Sequence, residues 1–351
     1  MGCLPKIRDD QRRELALLII TEQELKQYVK LNSEAISIVE EGFTKLAEGE
    51  VVMPPIMRVD VHDQNGEVDV KTAYIKGKDM FAIKVSSGFF DNYKLGLPSG
   101  NGLMMLLSTQ TGIPQALLLD NGYLTEVRTA AAGAISVKYL ARQNIHTVGI
   151  IGAGSQARFQ LRALKLIRDF QKVLVYARSS DRAKEYADDM AKELNIVVEV
   201  IESPEQVVRN SDVVITTTPA REPIIQADWL HPGLHITAMG SDAEHKQEIE
   251  SEVLARVDKL VCDTKAQCAR LGELHHALDS GVISDQSNII ELGQITSNKV
   301  SGRDRDDQIT ICDLTGTGVQ DTAIALYAYN EMVKRQIGLP IENKEFSIET
   351  N

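Results

Sequence analysis

Lys84 is a charged residue in an apolar setting where it could do chemistry. It lies within the segment FAIKV at 81–85, whose composition predicts a largely buried strand. Burying an unpaired ammonium is costly, and a substrate carboxylate would supply the missing partner. Desolvation would also lower the pKa of this lysine towards the range that suits proton transfer. The alternative is a lysine that keeps an edge strand soluble.

Three further charged residues could act on the same substrate. Arg128 is predicted to open a helix, where its charge opposes the helix dipole and indicates a bound anion such as a carboxylate. Arg58, on the strand after a pair of prolines, is a second carboxylate-binding candidate or else a surface arginine. Asp242 follows a predicted strand, at the edge where open α/β sheets bind ligands, and could exchange a proton with an amine or a water. It could instead cap a helix that begins at the next residue.

The segment TVGIIGAGSQA at 147–157 predicts the class of cofactor. An apolar strand ends at Gly152, and Gly154 and Ala157 complete the G-x-G-x-x-A form of the dinucleotide fingerprint. Gly152 would make the tight turn, and Gly154 would let a pyrophosphate approach the backbone. Ser155 and Gln156 would begin a helix whose N–H groups bind that pyrophosphate. The alternative is an ordinary strand–helix turn.

The next strands bear on which dinucleotide binds. Arg178 and Ser179 follow the second strand, where an NAD site usually has an acidic residue for the ribose. The pair could bind a 2′-phosphate, or Arg178 could be a solvated surface arginine. We therefore predict NAD(P)(H) and favour NADP(H). After the fourth strand, Thr216-Thr217-Thr218 would lie over the adenine and the nicotinamide ribose, or would form a plain loop.

The elements that must position these residues divide the chain in two. The first half has two helices, opened by the capping box Thr21–Glu24 and by Ser33. An antiparallel sheet follows, with strands predicted at 53–61, 68–75, 80–85, 102–108 and 114–120. A helix at 128–143 then leads into the glycine loop.

Strands and helices alternate after this loop, as in a doubly wound parallel sheet. Strands are predicted at 173–177, 197–201, 213–217, 235–239 and 260–263, and helices at 155–168, 181–194, 204–210 and 247–257. A last helix at 321–336 is apolar enough to pack back on the first domain. We predict an α/β protein with a Rossmann-type domain at 128–321. An α+β domain would comprise 1–127, with 1–17 as a loose extension, plus 322–351.

Composition excludes several classes of protein. The 38 basic and 50 acidic residues give a net charge of −12, which argues against nucleic acid as a partner. No apolar run approaches the ~20 residues that span a bilayer, and the start lacks a signal-peptide pattern. Four sparse cysteines and an isolated His275-His276 pair predict reduced thiols and no metal site. We expect a cytoplasmic protein, with lipidation at Gly2 or Cys3 as a minor alternative.

Four stretches resemble the ornithine cyclodeaminase/mu-crystallin family: FAIKVSSGFFDN at 81–92, TGIPQALLLDNGYLTEVRTAAAGAISVKYLA at 111–141, VGIIGAGSQARFQL at 148–161 and AMGSDAEHKQEIE at 238–250. The similarity runs roughly from Leu18 to Gly338, and 81–141 is most similar to ectoine-utilisation-type cyclodeaminases. It implies that Lys84 and Asp242 are catalytic and that Lys84 and Arg128 bind the substrate carboxylate. It also implies cofactor contacts from Thr129, the Gly152-x-Gly154 loop, Met239, Gly240 and the tract GTGVQD at 316–321, which includes Gly318 and Val319.

One position departs from the family pattern. The family commonly has an arginine directly after the paired prolines, where this chain has Ile56. Arg58 lies two residues on, and therefore on the same face of a strand, so it could take over the role. The amino acid bound is left open by this departure.

The resemblance also implies an assembly and a reaction. The N-terminal domain would form a homodimer by merging its sheet with that of a second copy. A small amino acid, ornithine or 2,4-diaminobutyrate-like, would be oxidised at its α-carbon to an imine, attacked by its own side-chain amine, and reduced again after ammonia leaves. The alternatives are a ketimine or Δ1-pyrroline-2-carboxylate reductase, an alanine dehydrogenase, or a non-catalytic ligand-binding protein like some mu-crystallins.

Overall fold

A computed structural model describes residues 16–342, which form two compact units. The mixed-sheet unit comprises the described chain up to Lys30, Val51–Thr125 and the chain from Asp321 onwards. The parallel-sheet unit comprises Leu31–Glu50 and Glu126–Gln320. The predicted boundaries differ from this division mainly at 31–50. The loose extension predicted at 1–17 lies outside the described residues as far as residue 15, whereas residues 16 and 17 belong to the first strand of the sheet, where the prediction was wrong. The Gly2 and Cys3 lipidation sites also lie outside the described residues.

The mixed-sheet unit contains a sheet in the order β16-β1-β7-β6-β5-β4-β2, with β3 also paired to β4. Its elements are β1 Ala16–Thr21, α1 Glu22–Tyr28, β2 Val51–Val52, β3 Met57–Val61, β4 Gly66–Ile75, β5 Met80–Phe89, β6 Gly100–Ser108, β7 Pro114–Leu119 and β16 Leu339–Glu342. The strands from β3 to β7 form the antiparallel meander that was predicted. The prediction missed β1, which pairs parallel with β7, and β16, which pairs with β1.

One face of this sheet buries charged side chains as well as apolar ones. Burial alternates along β4, so that Glu67, Asp69 and Lys71 are buried on the same side. Asp69 lies opposite Arg58 of β3, and Lys71 lies opposite Lys84 of β5. Residues directly opposite on neighbouring strands project from the same face. The face that carries Lys84 is therefore a charged strip within a buried surface.

The parallel-sheet unit contains a parallel sheet in the order β10-β9-β8-β11-β12-β15-β13-β14. Its strands are β8 Thr147–Ile151, β9 Lys172–Tyr176, β10 Val197–Val200, β11 Val213–Thr216, β12 His235–Ala238, β13 Lys259–Cys262, β14 Ile289–Glu291 and β15 Thr310–Asp313. The first five strands across the sheet follow the 3-2-1-4-5 order of dinucleotide-binding folds, and the sixth position is taken by β15, the last strand of this unit in the chain. The predicted α/β class with a Rossmann-type sheet is confirmed.

The helices begin and end near the predicted positions in most cases. They are α2 Ser33–Ala47, α3 Tyr123–Leu140, α4 Ser155–Lys165, α5 Ser180–Leu194, α6 Pro204–Arg209, α7 Ser251–Arg256, α8 Lys265–Leu271, α9 Glu273–Asp279, α10 Leu292–Thr296 and α11 Gly318–Arg335. Within residues 16–342, no helix has the length and apolar character that crossing a membrane requires. Cys262, Cys268 and Cys312 are free and buried.

The two N-terminal helices have different surroundings. The capping box of α1 is present, because the Thr21 N–H donates to Glu24 at 2.8 Å and the Thr21 hydroxyl oxygen accepts from the Glu24 N–H at 3.5 Å. The cap of α2 is Asn32, not Ser33, since the Asn32 side chain accepts from the Ala35 N–H at 2.8 Å. The apolar stripe of α2 shares a core with α3 and α10, which places this helix in the parallel-sheet unit.

Two other helix starts were predicted wrongly. Helix α3 begins at Tyr123, because the Asp120 carboxylate accepts from the Leu124 N–H at 2.9 Å and so caps an earlier turn. Arg128 therefore lies in the second turn of α3 and does not open it. Helix α7 begins at Ser251, and the residue after Asp242 starts no helix. The proposal that Asp242 is a helix cap is thus wrong.

Candidate functional site

Lys84 forms a buried ion pair inside the mixed-sheet unit. Its side chain is 2% exposed, and its Nζ lies 3.0 Å from Oδ1 and 2.9 Å from Oδ2 of Asp321 at the start of α11. Strand β5 pairs with β4 on one side and β6 on the other, so Lys84 is not an edge-strand lysine. The sequence predicted that a substrate carboxylate would pair with this ammonium, but the protein itself already supplies a carboxylate partner. The sequence gives no local sign of that partner, which is 237 positions away.

Two more buried titratable residues face the Lys84 side of the sheet. Lys71 lies directly opposite on β4 and is 5% exposed. Asp120, at the end of β7, is 1% exposed. Burial raises the pKa of the Asp120 carboxyl to about 6, although its backbone hydrogen bonds and the charge of Lys84 act to lower it. Lys84 thus lies among two other buried charges, neither of which was identified from the sequence.

Arg58 is engaged by carboxylates of its own sheet. Its Nε lies 3.0 Å from Asp60 Oδ1, its Nη2 contacts Glu67, and its Nη1 lies 3.6 Å from Asp69 Oδ1. A substrate carboxylate would have to compete with all three anions for this guanidinium. The contacts therefore do not favour the idea that Arg58 takes over the role of the family arginine that Ile56 replaces.

Within the parallel-sheet unit, Arg128 is held by the first turn of α11 and the residues just before it. It is 6% exposed, and its Nη1 donates to Gln320 Oε1 at 3.3 Å. The same oxygen accepts from the Thr317 N–H at 2.8 Å. A Cβ on Gly316 would lie 2.5 Å from the Arg128 guanidinium, and Gly316 has a φ of +79°. The tract 316–320 is therefore packed directly on Arg128.

Asp242 is the most accessible of the predicted catalytic residues. Its side chain is 42% exposed, and its Oδ1 accepts from the Lys246 ammonium at 2.7 Å. The Lys246 carbonyl in turn lies 2.8 Å from Nε2 of His276, which ties the histidine to this loop. A carboxylate that is paired with a cation and open to solvent can exchange a proton with an incoming amine.

The glycine loop has the geometry of a phosphate-binding turn. Gly152 has a φ of +114°, and a Cβ there would lie 2.6 Å from Thr217 Oγ1. Gly154 caps α4, and a Cβ there would meet no protein atom within 4 Å. Ala157 is fully buried, as the close helix packing of this motif requires. The structure therefore reserves open space at Gly154, where a pyrophosphate would approach the N-terminus of α4.

Neighbouring residues of the loop are fixed by side chains of α3 and α4. The Gln156 amide donates to Glu126 at 2.6 Å, and the Gln160 amide donates to the Thr129 carbonyl at 3.0 Å and contacts the Met239 sulfur. Ser155 is exposed. These contacts hold Thr129 and Met239 against the second turn of α4.

Glu248 organises the threonine loop and was missed by sequence reasoning. Its carboxylate is fully buried and accepts from the Thr216 hydroxyl at 2.6 Å, the Thr218 N–H and hydroxyl at 2.6 and 2.7 Å, and the Gly240 N–H at 2.8 Å. Burial raises the pKa of Glu248, against the lowering effect of these four hydrogen bonds. The carboxylate joins the loops that follow β11 and β12. Residues 216–218 are therefore held in place by specific hydrogen bonds and do not form a plain loop.

A second buried carboxylate supports the first. Glu273 accepts from the Glu248 N–H at 2.8 Å and from the Ile249 N–H at 3.2 Å. Burial and the nearby carboxylates of Asp313 and Glu248 raise the pKa of Glu273 well above its usual value. Gly240 is packed tightly in the same region, since a Cβ there would lie 2.1 Å from the Thr218 carbonyl oxygen.

The remaining predicted cofactor residues divide between exposed and structural positions. Arg178 is exposed, and Ser179 caps α5 through its hydroxyl, which accepts from the Arg182 N–H at 3.4 Å. Gly318 begins α11 and Val319 is fully buried. Among residues 16–342, no group of three or more histidine, cysteine, aspartate or glutamate side chains is arranged to hold a metal ion.

Known proteins are similar to this one over nearly the whole described chain. A cyclodeaminase of uncharacterised activity from Sinorhizobium fredii is 51% identical, over 93% of this chain and 98% of that protein. The structure of Thermococcus litoralis Δ1-pyrroline-2-carboxylate reductase with NADH and L-proline is 32% identical, with a TM-score of 0.88 over 92% of this chain and 99% of that one. An archaeal alanine dehydrogenase dimer with bound NAD is 34% identical, with a TM-score of 0.87 over 94% and 100% of the two chains. The ornithine cyclodeaminase/mu-crystallin family model matches residues 17–336. The chain belongs to the ornithine cyclodeaminase/mu-crystallin family.

Proposed function

We propose that the protein is an NAD(P)-dependent enzyme of imine chemistry at the α-carbon of a small amino acid, of the cyclodeaminase type. Its substrate would be ornithine or a 2,4-diaminobutyrate-like diamino acid, and its products a cyclic imino acid and ammonia. The observation that carries the proposal is the fully buried Lys84–Asp321 pair, an ion pair that packing alone does not require. The names of the three relatives, a cyclodeaminase, an imine reductase and an amino acid dehydrogenase, support the same chemistry.

The residues of the parallel-sheet unit fit a dinucleotide. Gly154 leaves its Cβ position empty of protein atoms, and the first N–H groups of α4 are unobstructed by a capping side chain. The bound cofactor would accept a hydride from the α-carbon and later return it. The 2′-phosphate of NADP(H) would be bound by Arg178 and Ser179, because no acidic residue follows β9. Equilibrium titration with NADH and NADPH tests this preference, and tighter binding of NADH would reject it.

The roles of the chain's own side chains follow from their charges. Lys84 and Arg128 would bind the α-carboxylate, and Lys84 would donate a hydrogen bond to the reacting centre as charge develops there. Asp242, the accessible carboxylate, would take a proton from the side-chain amine as it attacks the imine, and return one to the departing ammonia. The atoms and electrons balance once the hydride has returned to the cyclic imine, since one diamino acid then gives one saturated cyclic imino acid, a secondary amine, and one ammonia without net oxidation.

A direct assay distinguishes this reaction from its relatives. Purified protein is incubated with ornithine or 2,4-diaminobutyrate and a catalytic amount of NAD⁺ or NADP⁺, while ammonia and the absorbance of reduced cofactor are recorded. Ammonia released in excess of the cofactor, without net reduction, supports cyclodeamination. Stoichiometric oxidation of NAD(P)H by a cyclic imine, with no ammonia from either diamino acid, would instead identify a reductase.

The reductase is the second candidate, and the missing acid after β9 favours it, because an NADP-type pocket suits reduction. An alanine dehydrogenase is related to it by the same half-reaction, with ammonia and a keto acid in place of the cyclic imine.

A second copy of this chain is the partner that we propose for the mixed sheet. On the face opposite Lys84, Met57 and Val59 of β3 are 59% and 53% exposed, and Leu119 of β7 is 39% exposed. Such a group of exposed apolar side chains on one sheet face is typical of an interface. Light scattering coupled to size-exclusion chromatography should give twice the mass of one chain. The double variant Met57→Lys, Val59→Lys should lower the measured mass towards that of a single chain.

A further inference from the structure

The Lys84–Asp321 pair is built so that the carboxylate meets the ammonium with both oxygens. The two side chains are 2% and 0% exposed, and both Nζ–Oδ distances are close to 3 Å. Burying two charges costs several kcal/mol per ion in desolvation, and an apolar pair would serve packing at least as well. A pair with this geometry therefore points to a task for the charge itself.

Some groups around Lys84 favour its protonated form, and others disfavour it. Lys71 lies directly opposite on β4, and a second buried cation disfavours the protonated form of Lys84. Met104, opposite on β6, is apolar and fully buried, and therefore offers no compensation. Asp120 also interacts with Lys84 electrostatically. Asp321 is an anion in direct contact with Lys84, and its charge opposes the effects of Lys71 and of burial.

A clamp fixes Asp321 on the strands that carry the two lysines. Thr322, the next residue, donates its hydroxyl to the Ala73 carbonyl at 2.7 Å, and the same hydroxyl oxygen accepts from the Ala82 N–H at 3.1 Å. Ala73 and Ala82 are partners on β4 and β5, two residues from Lys71 and Lys84 respectively. The start of α11 is therefore attached to this strand pair, and the Asp321 carboxylate has a defined direction.

We propose that Asp321 is a positioning residue for Lys84, which keeps its ammonium protonated and aimed during the reaction. This inference rests on the proposed function, in which Lys84 contacts the substrate. In the parallel-sheet unit, the preceding residue, Gln320, accepts a hydrogen bond from the Arg128 guanidinium.

The test measures the protonation of Lys84 without any substrate. Protein labelled with ¹⁵N at lysine Nζ is titrated by NMR, and the Lys84 signal is assigned by its loss in Lys84→Met. In Asp321→Asn, which keeps the shape and removes the charge, Lys84 should lose its proton about 1 to 3 pH units lower than in the parent. An unchanged titration in the folded variant would overturn the proposal. Glu331→Gln, on the same helix, is the matched control and should leave the signal unchanged.

A second variant keeps the test decisive if Asp321→Asn fails to fold. Thr322→Val removes both hydrogen bonds of the clamp and retains the carboxylate, so the Lys84 titration should shift in the same direction by a smaller amount. A Thr322→Val protein that titrates like the parent would contradict the positioning role of the clamp.

The activity arm separates this proposal from the proposed function. In Asp321→Asn the alkaline limb of the plot of kcat/KM against pH should move to lower pH by the same amount as the NMR titration of Lys84. Asp321→Glu should restore the position of that limb. If the parent turns over none of the diamino acids or imines, the proposed function fails, whereas the NMR titration still decides the role of Asp321.

Discussion

Replacing Glu248 by glutamine tests how the loops after β11 and β12 are held. The carboxylate accepts two backbone N–H groups, from Thr218 and Gly240, through different oxygens. An amide has one oxygen and one NH₂ group, so either orientation leaves one of these N–H groups facing a donor. The two threonine hydroxyls can rotate and donate or accept as needed, which confines the damage to that single backbone group.

The size of the effect follows from this count. A buried donor left without an acceptor costs about 1–3 kcal/mol. Removing the charge relieves part of the desolvation that raises the pKa of Glu248, so we expect the free energy of unfolding to fall by about 2 kcal/mol. If the loops must keep this arrangement to bind the dinucleotide, the same loss of free energy raises the Kd for the cofactor by up to about 30-fold.

Two measurements check this prediction. Urea unfolding gives the change in stability, and quenching of protein fluorescence by NADH or NADPH gives Kd. The exposed Glu252 on α7 supplies the control, and Glu252→Gln should change neither quantity. A Glu248→Gln protein with the parent's stability and affinity would show that the four hydrogen bonds do not organise these loops.

Four further outcomes are expected. Lys84→Met should abolish turnover and, by removing the cation in contact with the buried Asp321 carboxylate, lower stability by about 3–5 kcal/mol; adding Asp321→Leu should recover stability but not activity, as unfolding and rate measurements would check. Asp242→Asn should abolish turnover with cofactor affinity and melting temperature unchanged, since its side chain is 42% exposed; full activity would reject its catalytic role. Gly154→Ala should weaken cofactor binding about tenfold without loss of stability, because the added Cβ meets no protein atom, and parent-like Kd in a titration would place the pyrophosphate elsewhere. Burial raises the pKa of Asp313 from 3.8 to about 7, so the folded state binds this proton more tightly than the unfolded chain and stability should fall as pH rises from about 4 to 7; Asp313→Asn should flatten that dependence by up to about 4 kcal/mol in unfolding experiments at several pH values.

The features that were predictable from the sequence have local causes. The glycine loop was found because Gly152 needs a positive φ and Gly154 needs an empty Cβ position, and both demands are visible in a few residues. The parallel sheet was found because strands and helices alternate. Lys84 stood out because a charge interrupts an apolar run.

What was missed depends on contacts between distant segments. Asp321 and Glu248 look like ordinary acidic residues in the chain, and their partners lie 237 and 32 positions away. The apolar spacing of α2 predicted a helix but could not say which unit would bury it. The start of α3 is an exception, because its cap is local: the Asp120 carboxylate accepts from the Leu124 N–H four residues on, and the prediction did not recognise it.

The topology of the mixed sheet sets an order of events during synthesis. Strands β2 to β7, with Lys84 on β5, leave the ribosome well before α11 and β16, which come from the end of the described chain. Until α11 emerges, Lys84 lacks Asp321 and β1 has no neighbour on its outer edge. A nascent chain would therefore carry Lys84 without its Asp321 partner and an open strand edge, and it would need the final segment, or a chaperone in its place, to cover both.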